Sequence, residues 1–105
     1  MIRVPLPILQ NQFELIPQFG KLEEEVIEVQ EAITEIYGAE NIGREKEMYS
    51  HLTSEVIDVM QVCVGMLDNI EQKYPGLVSE MGKYHPMKLR EKNYKFKSFL
   101  VLEND

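Results

Sequence analysis

An all-α helical bundle is the fold class that this chain of 105 residues predicts. Two apolar stripes recur at helical spacing, one on each of two long segments. A glycine-containing loop at 38–43 and a Pro75-Gly76 pair punctuate them. The chain is also short: a domain of this size buries only about 60–70% of its unfolded surface. Long helices would leave apolar faces uncovered, so oligomerisation is expected to complete the bundle.

Residues 1–16 contain Pro5 and Pro7 and are read as an extended arm followed by a short helical piece. Pro17 suits a first helical turn, where its missing N–H does no harm. A helix then runs to Tyr37. Its stripe is Leu22, Val26, Val29, Ile33 and Ile36, at steps of four and three, with Gly38 as its C-cap. A second helix starts between Gly43 and Ser50 and runs to about Tyr74, with the stripe Leu52, Val56, Val59, Cys63, Met66 and Ile70. Cys63, on that stripe, is read as core. Residues 77–92 form a shorter third helix, interrupted near Pro86. In the tail from Asn93 to Asp105, Tyr94, Phe96, Leu100 and Leu102 share one parity, which fits a short C-terminal strand or an extended arm. The whole is one domain, 1–105, with a motif core at about 17–74 and a basic segment within 77–105.

Composition excludes several classes. With 44% hydrophobic and 28% charged residues the chain is globular rather than disordered. Its longest uncharged apolar run, Val59 to Leu67, is too short for a membrane span. The start of the chain does not resemble a secretory signal. One cysteine allows neither a disulfide nor a thiolate zinc site and suggests a reducing, cytoplasmic setting. A formal charge of −7 argues against nucleic-acid binding by charge.

The chain contains an internal echo. Lys21-Leu22-Glu23-Glu24-Glu25-Val26-Ile27-Glu28-Val29 is matched thirty residues on by His51-Leu52-Thr53-Ser54-Glu55-Val56-Ile57-Asp58-Val59. Each copy sets two acids at i and i+3, neighbours on a helix, at the border of the apolar stripe. If the stripes pack antiparallel, Glu25, Glu28, Glu55 and Asp58 converge. Four converging carboxylates repel each other and are costly to desolvate, and a divalent cation removes that cost. Hard oxygen ligands without thiolates or a histidine cluster favour Mg2+, with Mn2+ as the alternative. An isolated pair of acids at this spacing is more often simply a solvated helix face.

The two acid motifs resemble the EExxE…ExxD signature of MazG-like proteins, the all-α nucleoside triphosphate pyrophosphohydrolases. These are related to dimeric dUTPases and phosphoribosyl-ATP pyrophosphohydrolases. The resemblance covers roughly residues 15–75. It implies a helical dimer or tetramer that hydrolyses the α–β phosphoanhydride of a nucleoside triphosphate. It further implies Glu25, Glu28, Glu55 and Asp58 as metal ligands, and Glu24 as an outer ligand or a water-orienting base beside Glu25.

Phosphates also need cations. Lys21, one turn before Glu25, either reaches a phosphate or pairs with Glu25. His51 stands in the same relation to Glu55, as an outer-shell group or a surface residue of the helix start. Lys88, Arg90, Lys92 and Lys95 form the basic concentration; they either close on phosphates, as a basic segment does in similar proteins, or are a solvated helix end. For the base, Phe13, Phe19 and Tyr49 are candidate stacking residues and Asn11 and Gln12 candidate edge readers. Two rivals remain. A di-iron bundle needs Glu-x-x-His, and no acid here has His three residues later. A non-catalytic helical oligomerisation module would use the acids for solubility alone.

Overall fold

A computed structural model describes residues 1–10, 14–38 and 42–104. It contains α1 (Leu15–Ile36), α2 (Glu45–Lys73) and α3 (Leu77–Glu91). The all-α class therefore holds. α1 and α2 form an antiparallel hairpin, and α3 packs against α2 alone. Antiparallel order is fixed by pairs whose numbers sum nearly to a constant: Gln18 with Asn69, Glu28 with Glu55, Glu35 with His51.

Local chemistry sets most helix ends. Pro17 sits in the first turn of α1, and the Gln18 N–H donates to the Glu14 carbonyl at 3.0 Å. At the far end Gly38 does not take the left-handed conformation of a C-cap. Its N–H instead closes a tight turn onto the Glu35 carbonyl at 3.1 Å. Glu45 and Glu47 open α2, where the helix dipole favours negative charge. After Lys73, Gly76 adopts φ 88°, a left-handed turn natural for glycine. Both oxygens of Glu71 receive the Gly76 N–H, at 3.0 and 3.1 Å.

Two expectations about the C-terminal part are corrected. α3 runs through Pro86 without a break; the proline removes one intrahelical donor but does not end the helix. No strand occurs among the described residues, so the tail after α3 is an extended arm. A strand needs a neighbour to take its ladder of hydrogen bonds, and no other strand is there. Residues 1–10 have no regular secondary structure, Leu15 and Ile16 before Pro17 already belong to α1, and the rest of the stretch expected to hold a short helical piece falls partly on 11–13, outside the described residues.

The packing seam differs from the predicted stripes by one residue at alternate positions. In α1 the covered line is Gln18, Leu22, Glu25, Val29, Ala32 and Ile36, while Val26 and Ile33 are 50% and 41% exposed. In α2 the line is Met48, Leu52, Glu55, Val59, Val62, Met66 and Asn69, while Val56 and Cys63 are exposed. Cys63 is thus not a core residue of the chain. Both helices are rotated the same way, which carries Glu25 and Glu55 from the border of the seam into it. Polar residues then meet polar residues: the Asn69 amide donates to the Gln18 Oε1 at 3.4 Å, near the open end of the hairpin.

This rotation gives the hairpin two unlike sides. In an antiparallel pair, residues one step after the seam on each helix share a side, and residues three steps after it share the other. The first side carries Phe19, Val26, Ile33, Tyr49, Val56 and Cys63. The second carries Lys21, Glu28, Glu35, His51 and Asp58. The core between them is thin, with Ala32 and Met48 the buried apolar side chains among the described residues.

Candidate metal centre and adjoining cavity

Glu25 lies 6% exposed in the middle of the seam. Glu28 stands one turn further along α1, and Glu55 faces them from α2. One carboxylate oxygen from each of the three lies within 4.8 Å of the others. Such a cluster is unfavourable without a proton or a cation between the charges. The acidity of Glu28 reflects this: its pKa is pushed up to about 7 by hydrogen bonding to Glu55 first, then by the Glu25 charge.

The remaining polar contacts are ordered around the cluster. Lys21 Nζ sits 2.9 Å from Glu25 Oε1 and 3.7 Å from Glu24 Oε2. Lys21 thus pairs with Glu25 in this structure, and the Glu25 carboxylate holds the Lys21 pKa above its usual value. His51 bridges the helices, with Nε2 3.2 Å from Glu55 Oε1 and Nδ1 3.4 Å from Glu35 Oε2. Lys21 and His51 thus each engage one oxygen of an inner acid. The second oxygens, Glu25 Oε2 and Glu55 Oε2, are buried and have no hydrogen-bond partner. Buried acceptors normally find a donor. Two orphaned carboxylate oxygens beside a third carboxylate match the donor set of a hard divalent cation.

Asp58 departs from the expected convergence of four acids. It is exposed and lies outside the triad. Its register puts it opposite Glu25, but it sits three steps after the seam residue Glu55, on the rim, and its side chain is one methylene shorter than glutamate. It lines a cavity of about 720 Å³ that opens next to the triad. Lys21, Glu24 and Glu25 line the same cavity, and Glu24 lies outside the triad.

The basic group is not brought to this site. Lys88 and Arg90 occupy the last turn of α3, and none of Lys88, Arg90, Lys92 and Lys95 lines the cavity. The reason is topological: α3 lies against α2 and does not pack on α1. Arg90 instead stacks on the Phe96 ring, 4.9 Å from its centroid. Phe19 and Tyr49 point away on the apolar side, 54% and 47% exposed. Asn11, Gln12 and Phe13 lie outside the described residues.

Sequence reasoning missed the remaining walls of the cavity: Leu9 and Gln10 from the arm, Pro17, Gln18 and Gly20 from α1, Gln61 and Val62 from α2. Gln61, three residues after Asp58, was the legible signal among them, since residues at i and i+3 are neighbours on a helix.

Comparison with known proteins adds no relative: no family model, no curated protein and no solved structure matches the chain. No described helix is long and apolar enough to cross a membrane.

Proposed function

We propose that the chain is a magnesium-dependent nucleoside triphosphate pyrophosphohydrolase of the MazG-like kind, active as a homodimer or homotetramer. The single observation that carries this is the pair of orphaned, buried oxygens on Glu25 and Glu55, within reach of Glu28. In an apolar seam such acids are destabilising unless they bind something. Glu25, Glu28 and Glu55 would hold Mg2+, with Mn2+ as the alternative, and Asp58 on the rim would bind through water or on closure. The bound cation would supply charge neutralisation at the phosphates.

The reaction adds water to the α-phosphorus and breaks its bond to the bridging oxygen. Nucleoside monophosphate and pyrophosphate leave, with release of a proton. Glu24, exposed at the cavity edge, orients the water and accepts its proton. Lys21 neutralises phosphate charge once the cation takes over the Glu25 carboxylate. Lys88, Arg90, Lys92 and Lys95 reach a phosphate only from another copy or after movement of α3.

Exposed surface supports the assembly. A folded monomer of 12.3 kDa is expected to expose about 6,100 Å². This chain exposes 9268 Å². Its extended arms account for part of the excess. The exposed apolar side of Phe19, Val26, Ile33, Tyr49, Val56 and Cys63 adds to it, and that side is suited to a second hairpin. That same side favours the non-catalytic oligomerisation module as a second reading.

The two are separated by melting with and without Mg2+, followed by pyrophosphate release from a panel of NTPs and dNTPs. Pyrophosphatase activity requires that Mg2+ raise the melting temperature, that Glu55→Gln remove the rise, and that Asp58→Asn lower turnover. Melting that ignores Mg2+, together with no pyrophosphate from any nucleotide, leaves the oligomerisation module.

A further inference from the structure

The arm at residues 1–10 has no regular secondary structure, yet it is tied to the bundle at a defined place. The Gln61 Nε2 donates to the Pro7 carbonyl at 2.8 Å, across 54 residues of chain. The two residues that follow shortly after, Leu9 and Gln10, line the cavity beside the acid triad. Pro5 and Pro7 fix φ in this stretch and lower the entropy lost on holding it extended.

The walls of the cavity divide by chemistry. Lys21, Glu24, Glu25 and Asp58 are charged and lie toward the triad. Leu9, Pro17 and Val62 offer apolar surface, with three carboxamides, Gln10, Gln18 and Gln61, set among them. Gln18 is 5% exposed and its Oε1 takes the Asn69 amide, so its orientation is fixed. A carboxamide presents a donor and an acceptor side by side, the complement of the edges that nucleobases display. At about 720 Å³ the volume falls within the range of small-ligand sites.

We infer that the arm is a structural wall of a nucleobase compartment. The Gln61–Pro7 hydrogen bond pins the arm so that Leu9 packs on one face of a flat heterocycle while Val62 and Pro17 meet it from the helices. Gln10 reads its edge, and the phosphates extend toward the triad. This rests on the nucleotide reading above and extends it: specificity for the base resides partly in a segment outside the acid-bearing helices.

The test measures binding of nucleoside monophosphates to the full chain with Mg2+ present, by saturation-transfer NMR and by titration. At least one base should bind with its ring protons the most strongly saturated. Gln61→Leu and Leu9→Ala should each weaken that binding about five-fold, the scale of one lost hydrogen bond or one partly buried side chain, while melting curves stay unchanged. Because both residues lie apart from the triad, neither substitution should remove the rise in melting temperature with Mg2+. Binding that is lost in neither arm-directed variant overturns the inference, as does failure of every monophosphate to bind. Binding that depends on Leu9 and Gln61 in a chain that releases no pyrophosphate upholds the compartment and overturns the hydrolase. Hydrolysis indifferent to both substitutions does the reverse.

Discussion

The two sides of the α1–α2 hairpin share a register and differ in everything else. Starting one residue after the seam, Phe19, Val26, Ile33, Tyr49, Val56 and Cys63 expose apolar surface. Starting three residues after it, Lys21, Glu28, Glu35, His51 and Asp58 expose charge. Between them the seam holds Glu25 and Glu55, each tied through one oxygen to a cation or imidazole on the charged side. The contrast teaches where each side spends its free energy. Apolar exposure is relieved by another protein surface. Orphaned buried carboxylate oxygens are relieved by a cation.

The largest expected effect lies on the charged side. Glu25→Gln or Glu55→Gln should reduce Mg2+-dependent pyrophosphate release beyond the 10–100-fold typical of an outer-shell partner (roughly, by analogy with other metal sites). A residual rate above one tenth of the parent would place the cation elsewhere. Next comes the apolar side. Val26→Asp with Val56→Asp should weaken self-association about tenfold or more, read as mass by light scattering over a dilution series. An unchanged mass would exclude this side as the proposed interface.

A third change sharpens the contrast by reversing its sign. Glu25→Met removes a buried, half-satisfied carboxylate and leaves Lys21 in solvent. In Mg2+-free buffer it should stabilise the hairpin by about 1 kcal/mol or more, raising the melting temperature while abolishing the response to Mg2+. A lower melting temperature would show that the Lys21–Glu25 pair outweighs the repulsion within the triad.

The smallest effect is the pH dependence. The folded-state pKa of Glu28 is raised from 4.5 to about 7 by Glu55 and Glu25. The folded state therefore binds more protons than the unfolded state between those values. The contribution of this group to stability is fully present below about 4.5 and is lost as pH rises through about 7. Mg2+ competes with the same proton, so its apparent affinity should climb over that interval and level off above it. Calorimetric Mg2+ titrations at pH 5.5, 6.5 and 7.5 check this, with Glu28→Gln flattening the trend.

Much of the site was legible before folding. The echo of Glu25-Val26-Ile27-Glu28 in Glu55-Val56-Ile57-Asp58 located the three acids that meet, because residues at i and i+3 share a helix face whatever the surroundings. The basic cluster and Asp58 show where that logic stops. Charge and spacing give a residue's place on its own helix, while the partner it meets depends on which neighbour packs there, and α3 packs away from α1. Nothing local in Leu9 or Gln10 announces a cavity wall; contacts with a distant helix, the Gln61–Pro7 bond among them, bring them there.

By itself the sequence determined three helices, their approximate ends and the pairing of acid motifs, because propensity, turn residues and a 3.6-residue period act over a few neighbours. The phase of the seam was decided by tertiary structure. Val26 beside Glu25, and Val56 beside Glu55, gave each helix a broad apolar stripe with two admissible centres. The opposing helix, held antiparallel, selected the centre that buries the acids and leaves the valines outside. That selection depends on the shape and charge of a surface some thirty residues away, which no local period encodes.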